Sequence, residues 1–400
     1  GKTERTYIRI GYGFARSRNG ASQDHAVASI AAVGGNFRFL GGGAFWSNRI
    51  VYHWNKTVVE GLDVLDPITR ILDMSRIGPV LTFEDEAVRK GPPVTAMLVQ
   101  NTNPAAVAPD TKRVLKGLKR DDLFLCVHEQ FLTETAQLAD IILPATMFLE
   151  HDDIYQAGGH MHLQIHRAVI EAPEQTRSNH WVINELAKRL GAQHPGFGMT
   201  EWELIDKTLL DSGWPSADAL LEKKWHDVQP SFADSHFLNG FPTSTGRFQF
   251  SADWSKLGPL GSKLPNYPDH CDNIDSATAE KPFRLITSPA RNYLNTSFTE
   301  TPTSKRKEVR PTVKIHPDAA SQLCLEDGDK VRLGNEQGSV VLNVSIFSGL
   351  QTNVVVVESV WPNSAFEEGV GINTLISAEP GPPNGGAVFH DTAIWIKPAG

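Results

Sequence analysis

The sequence predicts an α/β protein in which parallel-sheet domains are followed by a small C-terminal β-barrel, and three observations lead there. Between residues 94 and 143, strand-length apolar runs alternate with helix-like stretches, the rhythm of a parallel sheet with crossover connections. After Lys281-Pro282 the pattern changes to many short β-branched runs, separated by turns such as Glu326-Asp327-Gly328-Asp329 and Glu336-Gln337-Gly338. The length, 400 residues, exceeds what one hydrophobic core usually organises.

Taken in order, residues 6–10 read as a short strand, with Gly11, Gly13 and Gly20 punctuating the turn after it. Asp24 to Val33 is a helix stopped by Gly34-Gly35-Asn36, and Gly41-Gly42-Gly43 makes a loop. Residues 45–90 carry little periodicity and are expected to run over a surface. Val94 to Gln100 is a buried strand ending at Asn101-Thr102-Asn103-Pro104. A helix over 111–118, a strand over 123–127, a helix over 133–140 and a strand over 141–143, stopped by Pro144, complete the repeat. Asn179 to Leu190 is an amphipathic helix closed by Gly191. Residues 195–280, rich in Pro, Gly, Ser and Trp, look like a connector with one helix near 201–211. Barrel strands are expected near 285–287, 312–315, 330–333, 339–344, 353–357 and 393–396. The chain thus divides into the end of one α/β domain (1–85), a second α/β segment (86–215), a connector (216–280) and a barrel (281–400).

Composition narrows the function. With 38 basic and 46 acidic residues the net charge is -8, which gives no electrostatic footprint for nucleic acid. Three scattered cysteines, Cys126, Cys271 and Cys324, supply neither a disulfide framework nor the roughly four thiolates of an iron–sulfur cluster. No apolar run approaches the about 20 residues of a membrane span. The chain opens Gly1-Lys2-Thr3-Glu4-Arg5, without a leader and almost directly on a strand, so further residues are expected upstream.

In open α/β sheets ligands bind beyond the carboxyl ends of strands. That rule singles out Asn101, Thr102 and Asn103 after one strand, and His128, Glu129 and Gln130 after the next. Their amides and carboxylate suit a phosphate or a heterocycle, although Asn-x-Asn-Pro also serves as a plain turn and helix cap. Gly11-Tyr12-Gly13 with Arg16 and Arg18 reads either as a phosphate-facing loop or as a turn with solvated arginines; Arg16 stands where a full GxGxxG has glycine. His160, His162 and His166 would share one strand face, as metal ligands or simply as half-exposed histidines. Glu150-His151-Asp152-Asp153 reads as an acid/base pair or a solvated loop. GxSxG, P-loop, HExxH and EF-hand patterns are absent.

Residues 128–150, HEQFLTETAQLADIILPATMFLE, closely resemble the T-x-T-A-x-x-A-D-x-x-L-P segment of the molybdopterin oxidoreductases, the dimethyl sulfoxide reductase family. RIGYGFARSRNG, VQNTNPAAVAPD and SNHWVINELAKRLG are similar to further elements of that family. KPFRLITSPARNYLNTSF, HPDAASQLCLEDGDKVRLGNEQGSV and GINTLIS resemble its dinucleotide-binding barrel, all in the family's order. The resemblance implies parallel-sheet α/β domains of the formate dehydrogenase and dimethyl sulfoxide reductase type, followed by a C-terminal double-psi-like β-barrel. It also implies a molybdenum bis(molybdopterin guanine dinucleotide) cofactor between α/β domains and the barrel. Carried over, Ser288, Arg291, Asn295, Thr296 and Ser297 cradle one dinucleotide. Gly371 and Asn373 match a G-x-N-x-L element near the pterin, and Gly11, Tyr12, Gly13, Arg16, Asn101, Asn103 and Pro104 follow the cofactor on the α/β side. Glu129, Thr135 and Asp140 fall in the same segments, and His160 stands where the family often has Arg.

The metal-ligand segment and any iron–sulfur cluster would lie in a preceding region, which, with electron-transfer subunits, makes the implied partners. This region alone is expected to be inactive in a two-electron oxidoreductase. The alternatives are a non-catalytic cofactor-binding scaffold and, on Glu150 to Asp153, a hydrolase. Substrate and compartment stay open.

Overall fold

The computed structural model describes residues 2–271, 275–358 and 360–399. β1 (Tyr7–Arg9) pairs in parallel with β2 (Gly43–Phe45), and α1 (Gly20–Val33) connects them. The helix starts four residues before the expected Asp24, and it ends where Gly35 takes φ 62°. Residues 45–90 depart from the expected surface path. They form single turns, including α2 (Thr57–Glu60) and α3 (Ile77–Leu81), that deliver Tyr52 and Leu81, each 1 % exposed, into two separate cores. One-turn helices leave no 3.6-residue periodicity to read, which is why the sequence pattern missed them.

β3 (Ala96–Gln100), β4 (Phe124–Glu129) and β5 (Ile141–Pro144) form a parallel sheet in that order. Between β3 and β4 lie α4 (Pro104–Val107) and α5 (Thr111–Leu118), the latter capped by the Asp110 carboxylate on the Arg113 amide. Val99, Leu125 and Val127 pack against Leu81, Val114 and Leu118. Gly117 permits the close crossing of α3 and α5: a Cβ there would lie 2.4 Å from Leu81 Cβ. The helix expected over 133–140 is only a 3-10 turn at Ala136–Leu138. Its polar residues bond elsewhere: Thr135 Oγ1 donates to Asn103 Oδ1 (2.7 Å), and Asp140 Oδ2 accepts from the Leu125 amide (2.7 Å). Such side-chain bonds outcompete a short helix whose nucleation is already costly. Pro144 ends β5 as its last paired residue, opposite Glu129.

A second sheet is antiparallel, β6 (Asp153–Tyr155), β7 (His162–His166) and β8 (His226–Asp227). α6 (Asn179–Leu190) is capped by Ser178, whose Oγ accepts from the Trp181 amide (3.2 Å), and closed by Gly191 at φ 69°. α7 (Glu201–Asp211) begins with a reciprocal Thr200/Glu203 capping box. With α8 (Ala217–Lys223) it buries Leu209 and Leu220 against Leu163 of β7. Beyond β8 the connector has little regular structure but an aromatic ladder: Phe37 contacts Phe237 and Phe241, Phe248 contacts Phe241 and Phe250, and the His25 ring of α1 stacks on Phe248 at 5.9 Å.

All six expected barrel runs become strands: β9 (Phe283–Ile286), β10 (Thr312–Ile315), β11 (Lys330–Gly334), β12 (Ser339–Ile346), β13 (Val354–Val357) and β14 (His390–Pro398). They close in the order β10-β12-β11-β14-β9-β13, with β10–β12 and β13–β9 parallel and the other neighbours antiparallel. Leu285, Val313, Val331, Leu333 and Val355 point inward and are fully buried, so the barrel is a packed core rather than a pore.

Candidate functional site

The strand-end loops of the α/β region and of the barrel meet around a cleft of about 890 Å³. One wall carries Tyr12 and Arg16 from the loop after β1. A second carries Gln100, Thr102 and Pro104 from the end of β3. The barrel contributes Thr287, Pro289, Asn295, Asn373 and Phe389. The remaining wall is apolar, with Leu72, Met74, Val80 and Met97 beside Asp73 and Ser75.

The polar end has defined geometry. Arg16 is half-buried, its guanidinium 5.6 Å above the Phe389 ring, and its carbonyl accepts from the Phe389 amide (3.1 Å). Tyr12 meets Trp46 edge to face at 5.2 Å and stays 57 % exposed toward the cleft. Asn295 adopts φ 51° in a tight turn that Leu294 and Ser297 close with reciprocal backbone bonds. Asparagine tolerates this left-handed conformation better than most residues. Beside Phe389, burial and then the Arg16 charge hold the His390 imidazole below the usual histidine range.

The floor is built by side chains reaching over from the barrel. α4 is a single turn, so its last carbonyls lack helical partners. Asn363 Nδ2 donates to Ala105 O (2.9 Å), and Asn373 Nδ2 to Ala106 O (3.1 Å) and Val107 O (3.0 Å). Asn363 Oδ1 in turn accepts from the Gly371 amide (2.8 Å). Glu134 ties the two parts again, accepting from the Asn363 amide (2.8 Å) and from Asn103 Nδ2 (2.7 Å).

Of the residues singled out in the sequence, Tyr12, Arg16, Pro104, Asn295 and Asn373 share the cleft. Gly11 and Gly13 flank Tyr12, and Ser288, Arg291, Thr296 and Ser297 belong to the barrel loop around Asn295, outside the walls. Asn103 is buried beneath, held by Glu134 and Thr135, and Gly371 supports Asn363. Asn101 Nδ2 donates to Asn179 Oδ1 (3.3 Å), and Glu129 accepts from the Gln130 amide (2.7 Å). Asp140 sits at the opposite end of β4 from the cleft. His128, fully buried, bonds Gln100 and the Arg177 carbonyl.

His160 precedes β7, with its Nδ1 accepting from the His162 amide; His166 stacks on Tyr155 at 5.1 Å. Burial first, and then Asp153, push the Tyr155 phenol up to about 12. Among the described residues no group of three or more His, Cys, Asp or Glu is arranged to hold a metal ion. The acidic run is dispersed: Glu150 accepts from the Met147 amide, Asp152 pairs with Arg167 at 2.8 Å, and Asp153 caps Ile154. Sequence reasoning missed Glu134 and Asn363. Glu134 lay in view inside Thr133-Glu134-Thr135, and Asn363 in Trp361-Pro362-Asn363, whose turn character was the available signal. Among the described residues no helix is long and apolar enough to cross a membrane.

Open parallel strands and a closed barrel presenting their loops to one cleft define a protein built to hold a ligand between two folding units. The family comparison gives that class its name: residues 2–189 match the molybdopterin oxidoreductase family model, and residues 283–393 match the molybdopterin dinucleotide-binding domain. The chain belongs to the molybdopterin oxidoreductases of the dimethyl sulfoxide reductase type. It is similar to the probable oxidoreductase YoaE of Bacillus subtilis, at 30 % identity over 99 % of this chain and 57 % of that protein. It also resembles the dimethyl sulfoxide/trimethylamine N-oxide reductase of Rhodobacter capsulatus, at 23 % identity over 92 % of this chain and 50 % of that one. Acetylene hydratase from Pelobacter acetylenicus has the same fold over 81 % of this chain and 46 % of its own, with a TM-score of 0.65 at 19 % identity. The chain therefore spans about half the length of the curated relatives it matches.

Proposed function

We propose that this chain is the dinucleotide-gripping part of a molybdenum bis(molybdopterin guanine dinucleotide) oxidoreductase, and that on its own it is inactive. The observation that carries the reading is the convergence of Tyr12, Arg16, Asn295 and Asn373, from three distant segments, on one cleft. The residues suit the group at its polar end: Arg16 supplies a cation for phosphate, Tyr12 a ring and hydroxyl, and the Asn295 turn an amide-rich loop. When bound, the molybdenum supplies two-electron redox chemistry, commonly with oxygen-atom transfer. The chain's own residues orient that group and neutralise its phosphates. Ser288, Arg291, Thr296 and Ser297 flank the barrel side, and Gly11, Gly13 and Asn101 the α/β side. Asn103, Pro104, Glu129, Asp140 and Gly371 act through the loops they brace.

Under this reading residues 1–85 end one α/β domain, 86–215 form a second α/β segment, 216–280 connect, and 281–400 make the barrel. Metal ligand, any iron–sulfur cluster and electron-transfer partners belong to the rest of the protein. The test is Asn295→Asp in the full-length protein. Aspartate tolerates the same φ, so the turn survives, but a carboxylate now faces phosphate. One like charge added beside an anionic ligand in a partly hydrated cleft costs on the order of 1 kcal/mol, so binding should weaken by roughly tenfold. Guanine nucleotide released by acid from the purified protein should fall accordingly; unchanged nucleotide and molybdenum content would refute the assignment.

A further inference from the structure

We propose that residues 381–389 form a strap across one end of the cleft, and that Asp73 is the positioning residue that latches it shut. The strap then sets how fast an anionic ligand enters and leaves. The inference rests on the cofactor reading of the cleft and extends it to the kinetics of loading.

Among the described residues that line the cleft, Asp73 is the one carboxylate. A negative group is out of place beside phosphate unless its charge is already engaged. Here it is engaged. Oδ1 accepts from the Ser75 amide (2.8 Å) and hydroxyl (2.6 Å), and Oδ2 accepts from the Gly386 amide (3.1 Å), 313 positions away. Hydrogen bonds to a charged acceptor are the stronger kind. The carboxylate is thus spent on the barrel's strap rather than on a ligand.

The strap is shaped for this contact. Gly385 and Gly386 take φ 100° and 98°, a conformation open to glycine and strained for other residues. A Cβ on Gly385 would lie 2.4 Å from Asp73 Oδ2, so the approach needs a bare backbone. The turn closes on itself: the Gly381 amide donates to Gly386 O (2.9 Å), and the Gly385 amide to Gly381 O (2.9 Å). It can therefore move as a unit. From the connector the Leu260 amide donates to Pro383 O (2.9 Å). Beyond the latch Ala387 and Phe389 line the cleft, and the Phe389 amide donates to Arg16 O (3.1 Å). The strap therefore runs from the Asp73 wall to the Arg16 wall, and releasing its Asp73 end loosens the side next to the cation.

The latch is read first, without ligand. Asp73→Ala in the full-length protein should speed hydrogen exchange of the 381–389 peptide by about tenfold or more, while β14 keeps its rate. Gly385→Ala opens the same contact from the other side and should do the same. Asp73→Asn should restore much of the protection, because a carboxamide oxygen still accepts from the Gly386 amide. The gate is read next. Guanine nucleotide carried by the full-length protein should be lost to solution about tenfold faster in Asp73→Ala and Gly385→Ala, with the amount first loaded close to the parent's. Asn295→Asp is expected to lower that amount instead, so the latch and the cofactor assignment fail separately. Strap exchange that stays at the parent rate, or that rises equally in every barrel peptide, overturns the latch. A freed strap with unchanged nucleotide loss overturns the gate.

Discussion

Replacing Asn373 by alanine removes two hydrogen bonds from the floor of the cleft. The side chain is 2 % exposed, and its amide serves the Ala106 and Val107 carbonyls at 3.1 and 3.0 Å. Each is a terminal carbonyl of a one-turn helix, so no backbone donor stands by to replace it. A buried carbonyl left without its donor costs about 1–3 kcal/mol, and two partly relaxed ones together about 2–4 kcal/mol. At about 1.4 kcal/mol per tenfold, local opening of the 104–110 segment should become roughly 30- to 1000-fold more frequent. Hydrogen exchange of peptides spanning Pro104 to Asp110 reads this directly. Asn373→Asp keeps the shape and supplies a pH test. Its carboxyl faces two carbonyl oxygens, so its folded pKa rises above the unfolded value of about 3.9. The penalty is therefore full above that folded pKa and shrinks as the pH falls through it, because the protonated acid can donate once. Less than threefold faster exchange in Asn373→Ala would refute the view that the barrel caps α4.

Burial pushes the Asp24 carboxyl up to about 6, and its Oδ1 has no hydrogen-bond partner. The folded pKa exceeds the unfolded one, so the group's contribution is complete below about pH 4 and is lost as the pH rises through 6. Asp24→Asn should then be more stable than the parent at pH 8 by on the order of 1 kcal/mol, discounted for the half-exposed site, with urea midpoints converging at pH 4. Gly117→Ala sets a methyl against Leu81 Cβ, and overpacking of this kind costs about 1–3 kcal/mol; a lower denaturant midpoint checks it. Ser178→Ala removes the cap of α6 and should cost about 1 kcal/mol, seen as faster exchange in the helix's first turn rather than its last.

Much of this architecture was readable because periodic burial leaves periodic residues. The barrel strands alternate small branched residues with polar ones, and each was placed within a few positions. Thr102, singled out by the strand-end rule, and Tyr12 with Arg16, from the Gly-Tyr-Gly turn, line the cleft, whereas Pro104 was carried over from the family resemblance. What stayed hidden acts at a distance. Glu134 meets Asn363 across 229 residues, and Asn363 meets Ala105 across 258, separations that no local pattern reports. Thr135 and Asp140 misled for a related reason: their neighbourhood has helix-like composition, but their side chains hold other strands and loops. Residues 45–90 hid two cores because one apolar residue per turn looks the same as none.

The ring ladder from His25 through Phe248 and Phe241 to Phe37 gives the irregular stretch after β8 an attachment that owes little to its own backbone. Aromatic edges and faces hold by shape and dispersion, which neither salt nor mild acid removes. A protease that nicks the exposed bend near Thr243 to Gly246 would therefore cut the chain without parting it. The two pieces should co-elute until denaturant separates them, so an intact elution profile is no proof of an uncut polypeptide.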